Sequence, residues 1–378
     1  MNIRRIFTST LLLVCVTVTA CTPARTTTVF PASATPAKTS TPLPPSVTSV
    51  DVPAGLSSSA TETEPPTVGK VLEVVTLPVN PDRDAVYAFN SLWLLDDTTG
   101  IVTRWDPVSR KTLASIKVGN PAKTPYGDPV SAVATTDSIW VTAVAKSEID
   151  QIDPATNQVA ASIPFGKVEG EDFVINVMVG DDNNMWVWDY DRQIALRIDL
   201  KKKQLAATFH NILPAAVENG SLWAWDAKHS NEASNLLRID PATGQIIATI
   251  PLDKVNPINA SATSSLWFGH GQDLLRIDPA TNQVIASIDL GDRASGGIMV
   301  GDSIWAIEDS PMGPPTCHDL NLNSLVKIDP NTNAILGKIG LDCPGTVFLF
   351  GNEIWVLTGL AATGSQGNLN ATVIQLGK

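Results

Sequence analysis

Residues 256–290 read NPINASATSSLWFGHGQDLLRIDPATNQVIASIDL, and this stretch decides the fold. Ile258–Ala262 reads as a first strand, and Thr263-Ser264-Ser265 turns the chain into a second that begins Leu266-Trp267-Phe268. His270-Gly271-Gln272 turns it again, Asp273–Ile277 is a third strand, and Gln283–Leu290 is a fourth. The turn between the last two is Asp278–Asn282, DPATN, where proline supplies a fixed φ and asparagine tolerates a left-handed backbone. Leu266 and Trp267 are adjacent, so they face opposite sides of the sheet. Both are large and apolar, as expected of a sheet covered on both faces.

The unit recurs along the chain. Trp93, Trp140, Trp186, Trp223, Trp267, Trp305 and Trp355 sit in matching apolar runs, 37 to 50 residues apart. Six of them are followed by WDPVSRKTLASI, IDPATNQVAASI, IDLKKKQLAATF, IDPATGQIIATI, IDPATNQVIASI or IDPNTNAILGKI. Gly244 replaces Asn282 in the fourth copy, consistent with a position that needs φ > 0. Repeats of this length made of short strands and tight turns specify an all-β, seven-bladed β-propeller with four-stranded antiparallel blades. The tryptophans read as core between blades. The seventh copy lacks a fourth strand after Ala371–Leu376, and Lys70–Val79 (KVLEVVTLPV) resembles the fourth strands elsewhere. The ring is therefore expected to close by the N-terminal strand, which removes a free sheet edge.

The propeller accounts for residues 69–378. Ahead of it, residues 1–20 have a basic start at Arg4 and Arg5 and an apolar run from Leu11 to Val18, too short for the roughly 20 residues that span a bilayer. Val18-Thr19-Ala20-Cys21 resembles the lipobox of bacterial lipoproteins, which implies cleavage before Cys21 and lipidation of its thiol. Residues 21–68 are rich in Thr, Ser, Pro and Ala and nearly free of large apolar side chains, so they are expected to be a disordered tether. These features predict an extracytoplasmic, membrane-tethered protein of the bacterial cell envelope. Cys317 and Cys343 are the two remaining cysteines, and an exported domain predicts a disulfide between them.

The formal net charge is −12, and it becomes more negative when Arg4 and Arg5 leave with the signal. No basic patch is evident, which argues against a nucleic-acid partner. A monomer is expected.

The units SIWVT…IDPATNQVAASIPFG and SLWFG…LLRIDPATNQVIASIDLG resemble the YVTN-type propeller repeats of bacterial envelope proteins. They are also distantly similar to repeats of the virginiamycin B lyase and streptogramin lyase group. The resemblance spans the whole propeller and implies the fold. The lyases of that group use a histidine acid/base and a magnesium ion on one propeller face. The four histidines here, His210, His229, His270 and His318, lie in no stretch that matches the lyase motif, so no catalytic residue carries over.

In a four-strand meander, the loops joining second to third strands share a face with those joining successive blades. The irregular insertions Gly119–Pro129, Asp226–Asn235, Asp309–Asn323 and Gly359–Asn370 all fall there, as do the four histidines. That face is the expected binding face. First strands should line the central channel. The polar residues at their entrances are Arg83, Asp84, Tyr126, Asp128, Asp172, Asn176, Asn256, Asn259 and Arg293, and these form the candidate ligand site. The chain has no metal-ligand spacing, nucleophile elbow or phosphate-cradling loop, so no metal, cofactor or catalytic residue is assigned. The expectation is a module that binds a protein, peptide or small polar ligand through this face. The alternative is an envelope enzyme of the virginiamycin B lyase type acting there.

Overall fold

In the computed structural model the chain divides into Met1–Thr61 and Glu62–Lys378, and only residues of the second unit are described. These are 68–79, 85–121, 128–166, 175–189, 191–227, 233–255, 257–262, 265–300, 302–309, 323–342, 344–358 and 369–376. They form seven four-stranded antiparallel sheets. Blade 1 runs from Ala85 to Lys117, blade 2 from Ala132 to Pro164, blade 3 from Ile175 to His210, and blade 4 from Ile212 to Val255. Blade 5 runs from Pro257 to Asp289 and blade 6 from Arg293 to Gly340. Blade 7 combines Pro344–Leu376 with the N-terminal strand Gly69–Thr76. That strand pairs with Asn370–Leu376, placing Val71 opposite Ile374 and Thr76 opposite Asn370. First strands of neighbouring blades lie side by side from blade 1 to blade 6, and that of blade 7 lies against the second strand of blade 6 and the first strand of blade 1. The seven-bladed propeller and its closure by the N-terminal strand are as the repeat predicts.

The core is a set of seven seams. Each of the seven hydrophobic clusters draws residues from two successive blades. The repeat tryptophan always points forward: Trp93 packs with Ile139 and Val141 of blade 2, and Trp267 with Ile304 and Ala306 of blade 6. The residues on either side of it point backward, as Leu266 and Phe268 do onto Trp223 and Trp225. Strand alternation thus gives each blade two apolar faces, and none can bury both alone. The seven tryptophans are at most 3 % exposed.

Polar chemistry locks these seams at the turn-bearing end. Arg104, Arg238 and Arg276, on third strands, each lie over their own blade's tryptophan at 5.0–5.4 Å. Their Nε atoms donate to Ser91 and Ser221, which open second strands, and to Ser265, just ahead of one, at 2.9–3.0 Å. Each guanidinium then crosses into the next blade's DPxTN turn. Arg104 donates to the Pro154 carbonyl and to Asn157 Oδ1 (2.9 Å), Arg238 to Pro279 and Asn282 (3.0 Å), and Arg276 to Pro330 and Asn333 (3.0 Å). The three asparagines have φ of 57°, 57° and 61°, the left-handed conformation that turns Oδ1 toward the seam. Arg197 makes the same crossing to the carbonyls of Pro241 and Ala242. There Gly244 supplies no side chain and Asn184 stands in the serine position, so Arg197 Nε is buried without a partner.

The turns are held from within. The opening aspartates Asp153, Asp240, Asp278 and Asp329 accept the amide two residues on at 2.7–2.8 Å. That bond first, and the threonine three residues on, hold these carboxyls below the usual carboxylate range. A β-bulge follows the third-strand clasp position in blades 1 to 6 and displaces one outer-strand residue. The displaced Leu113, Ile247, Ile285 and Leu336 are 41–52 % exposed.

Arg276→Ala removes the bonds to Ser265, Pro330 and Asn333 together with the stacking on Trp267. It is expected to cost about 2–3 kcal/mol. Lys327→Ala, which loses only a cation 5.6 Å above Trp305, should cost about 1 kcal/mol or less. Urea midpoints at constant slope measure both. Equal shifts would show that the crossing bonds contribute nothing.

Candidate functional site

The opposite end of the ring is built differently. Its connections range from the single residue Asn211 between blades 3 and 4 to the 14-residue interval between the blade 6 strands ending at Asp309 and starting at Ser324. All four insertions noted in the sequence lie on connections at this end. The third residue past each repeat tryptophan arrives here, at or near the end of its second strand. These residues are Asp96, Ala143, Asp189, Asp226, His270, Glu308 and Thr358. Four of the seven are acids.

Local bonds fix their geometry. Burial pushes the Asp96 carboxyl up, but bonds from Thr98 and Thr99 overcome this and leave it below its ordinary value. Asp189 is fully buried and takes the Arg192 amide at 3.1 Å and its guanidinium at 2.5 Å. Glu308 accepts the Lys338 ammonium at 2.8 and 2.9 Å and the Ser324 hydroxyl at 2.5 Å. The neighbouring Asp309 holds Arg293 through a two-point pair, with Nε to Oδ1 at 2.9 Å. Blade 2 has alanine at the register position and supplies Glu148 instead. Burial raises the Glu148 carboxyl above its usual range, and Lys146 stands 3.2 Å away.

Of the channel-mouth residues named from sequence, Arg83, Asp84, Tyr126, Asp172 and Asn256 lie outside the described residues. Asn176 and Asn259 are described in backbone only. Both occupy first-strand bulges, Asn176 between the paired Ile175 and Val177, and Asn259 between Pro257 and Ala260. Arg293 opens the first strand of blade 6, in its pair with Asp309. Asp128 is fully buried. Its Oδ1 accepts the Val144 amide at 2.9 Å, and its Oδ2 accepts the amides of Asn120 at 2.7 Å and Ala145 at 3.2 Å. Its own amide donates to the Asp97 carbonyl, so this carboxylate ties the blade 1–2 connection to the blade 2 loop.

His210 and His270 close strands two blades apart, and His229 and His318 lie outside the described residues, as do Cys21, Cys317 and Cys343. His270 pairs in register with Asp273, and both line a cavity of about 330 Å³ with Pro251, Leu252, Leu275 and Ser287. Among the described residues no three His, Cys, Asp or Glu side chains converge as a metal site. The register acids are not among the channel-mouth residues that the sequence points to. Counting three residues on from each tryptophan finds Asp96, Asp189, Asp226 and Glu308.

No family of known proteins matches the sequence, and no curated protein does. Solved structures do resemble the fold. A streptogramin B lyase structure superposes with a TM-score of 0.57 at 13 % identity, covering 81 % of this chain and 97 % of the other. The WD40 domain of Pan2 from Neurospora crassa gives 0.57 at 10 % identity, covering 82 % and 96 %. BamB from Moraxella catarrhalis gives 0.51 at 10 % identity, covering 82 % and 100 %. At these identities the likeness is one of fold. It agrees with the distant similarity to the lyase-type propeller repeat.

Asp128→Asn leaves one carbonyl oxygen for three backbone donors. It is expected to cost about 1–3 kcal/mol. Amide hydrogen exchange at Asn120, Val144 and Ala145 should quicken together. Unchanged exchange at all three would remove Asp128 from this role.

Proposed function

We propose that this propeller is a lipid-tethered, extracytoplasmic binding module that engages a protein, peptide or small polar ligand through its loop-rich end. The contrast between the two ends carries the reading. At one end arginines clasp four seams, three of them with a serine, and aspartates hold the turns from within. At the other, connections vary in length and acids recur at a fixed register, including Asp96, Asp189, Asp226 and Glu308. Glycine and bulge positions in first strands also leave backbone groups outside the ladder there, as at Asn176. Acids in a concave rim reinforce one another's field, which favours a partner that presents ammonium or guanidinium groups. Arg293, directed by Asp309, would add a fork for a carboxylate on the same partner. The monomeric ring presents this rim to the envelope space, and the chain from Cys21 to the first strand sets its reach.

Two measurements test the reading. In calorimetric titration of the full chain, a lysine-rich decapeptide should bind with an affinity that falls as salt rises, and a glutamate-rich one should not bind. Asp226→Asn with Asp273→Asn should weaken the first at least tenfold, whereas Asp278→Asn in a turn at the other end should leave it unchanged. The reverse pattern would place the binding face wrongly. For the tether, Cys21→Ala should move the protein from the membrane fraction to the soluble one. Retention of the variant on membranes would refute the lipid anchor.

A further inference from the structure

The seam between blades 2 and 3 breaks the rule that the other clasped seams obey, and it does so at the end away from the proposed binding face. Gln151 stands where Arg104, Arg197, Arg238 and Arg276 stand in their blades. Its Nε2 donates to Ser138 Oγ at 2.6 Å, reproducing the inner contact of the clasp. The chain is too short to make the outer one. The turn it faces is altered as well: Leu200 replaces proline, and Lys203, at φ 52°, replaces asparagine. A cavity of about 440 Å³ is left, a size that suits small ligands. Trp140 and Leu200 wall it, and Lys201 and Lys203 stand at its rim. Across the seam, the Thr136 amide and hydroxyl donate to Asp182 at 2.7 and 2.6 Å, so the blades stay joined beside the cavity.

We propose that this notch is a binding site for a carboxylate carried on a flat apolar group. The polarity of the seam fixes the sign of the ligand. In the clasped seams the turn offers acceptors, a carbonyl and an asparagine oxygen, and the strand brings the cation. Here the turn offers two ammonium groups, Lys201 acting on Asp182 through its charge but neither lysine in contact with a carboxylate among the described residues, and the strand brings only a neutral amide. The missing piece is therefore an acceptor. The same comparison gives its shape. In three other seams a planar guanidinium covers the tryptophan, whereas Trp140 lines a cavity and carries no cation among the described residues. The Asp137 and Asp182 carboxylates line the cavity too, so its two lysines balance them and a monoanion suits it better than a dianion. Asp182 is already committed: the Thr136 hydroxyl first, and its amide, hold that carboxyl below its usual range.

The test titrates the full chain with 2-naphthoate, 2-naphthamide and inorganic phosphate. Naphthoate should bind, and at least tenfold more tightly than either of the others. Naphthamide binding equally well would remove the charge argument, and phosphate binding equally well would remove the stacking argument; either overturns the proposal. Gln151→Arg with Lys203→Asn rebuilds the clasp of the neighbouring seams. It should abolish naphthoate binding while raising the melting temperature. Lys201→Gln is a surface change that leaves the fold alone, and it should weaken naphthoate at least fivefold. Unchanged affinity in the rebuilt or the Lys201 variant refutes the site. Binding of the lysine-rich peptide at the opposite end should be unaffected by either variant, so the two sites stand or fall separately.

Discussion

Everything in this molecule depends on a tryptophan caught between two sheets. A blade whose second strand reads Leu-Trp-Phe has large apolar groups on both faces, and seven such blades satisfy one another only by closing a ring. The indole is a large side chain buried at every seam, but apolar packing has no direction and could slide. Direction comes from the guanidinium laid over it. Its Nε is anchored within the blade and its Nη1 is spent on the next blade's turn, so one side chain covers the ring and indexes the neighbour. The repeat motif follows from that requirement. Aspartate organises the turn through the amides that follow it, proline presents a carbonyl, and a left-handed asparagine aims its oxygen.

The exceptions follow the same logic. Where the left-handed turn position carries a cation, the preceding blade has given up its arginine: Lys203 faces Gln151, and the turn ending in Arg110 follows blade 7, which carries Val373 at that register. Two cations across a seam would repel, so in both seams a cation stands on the turn side only. Arg110 instead pairs with Glu73 on the closing strand. Blade 6 has no covalent turn ahead of it, because the third and outer strands of blade 7 come from opposite ends of the chain. Its Lys327 stacks on Trp305 with no turn to cross to.

This explains what was legible in the sequence. The strands read from residues 256–290 agree with Pro257–Ala262, Asp273–Asp278 and Gln283–Asp289 to within a residue, because turn chemistry and tryptophan recur in phase. The closing strand was legible for the same reason, although it ends at Thr76 rather than Val79. The site was legible only as a face. Residues at first-strand entrances lie where the repeats diverge, so periodicity says nothing about the direction of a side chain. Asp128 shows the difficulty. A polar residue near the channel suggests a ligand, yet three amides outside any ladder needed an acceptor, and this carboxylate meets that need. Asp96, Asp189 and Asp226 were within reach of the register, but a repeated acid at a strand end reads as ordinary surface until the ring brings the copies to one rim.

The division of labour between the two ends follows from where structural constraint falls. A substitution at the clasped end touches an indole, a guanidinium and a neighbouring blade at once, so few residues are compatible there. Three residues beyond the tryptophan the strand reaches the edge of the seam, where Ala143 still packs in the core and Asp189, Glu308 and Thr358 are buried, and the position carries Asp, Ala, His, Glu or Thr in different blades of one ring. Binding chemistry can therefore vary at the loop-rich end at little cost to folding. The blade 2–3 seam is the one place where the clasped end is relaxed without a structural substitute: Arg110 has Glu73, but Lys201 and Lys203 border open space. A seam that has lost its own cation and carries two lysines on the facing turn, balanced in charge by Asp137 and Asp182 but not in contact with them, leaves room for one further acceptor, and that is the physical content of calling it a site.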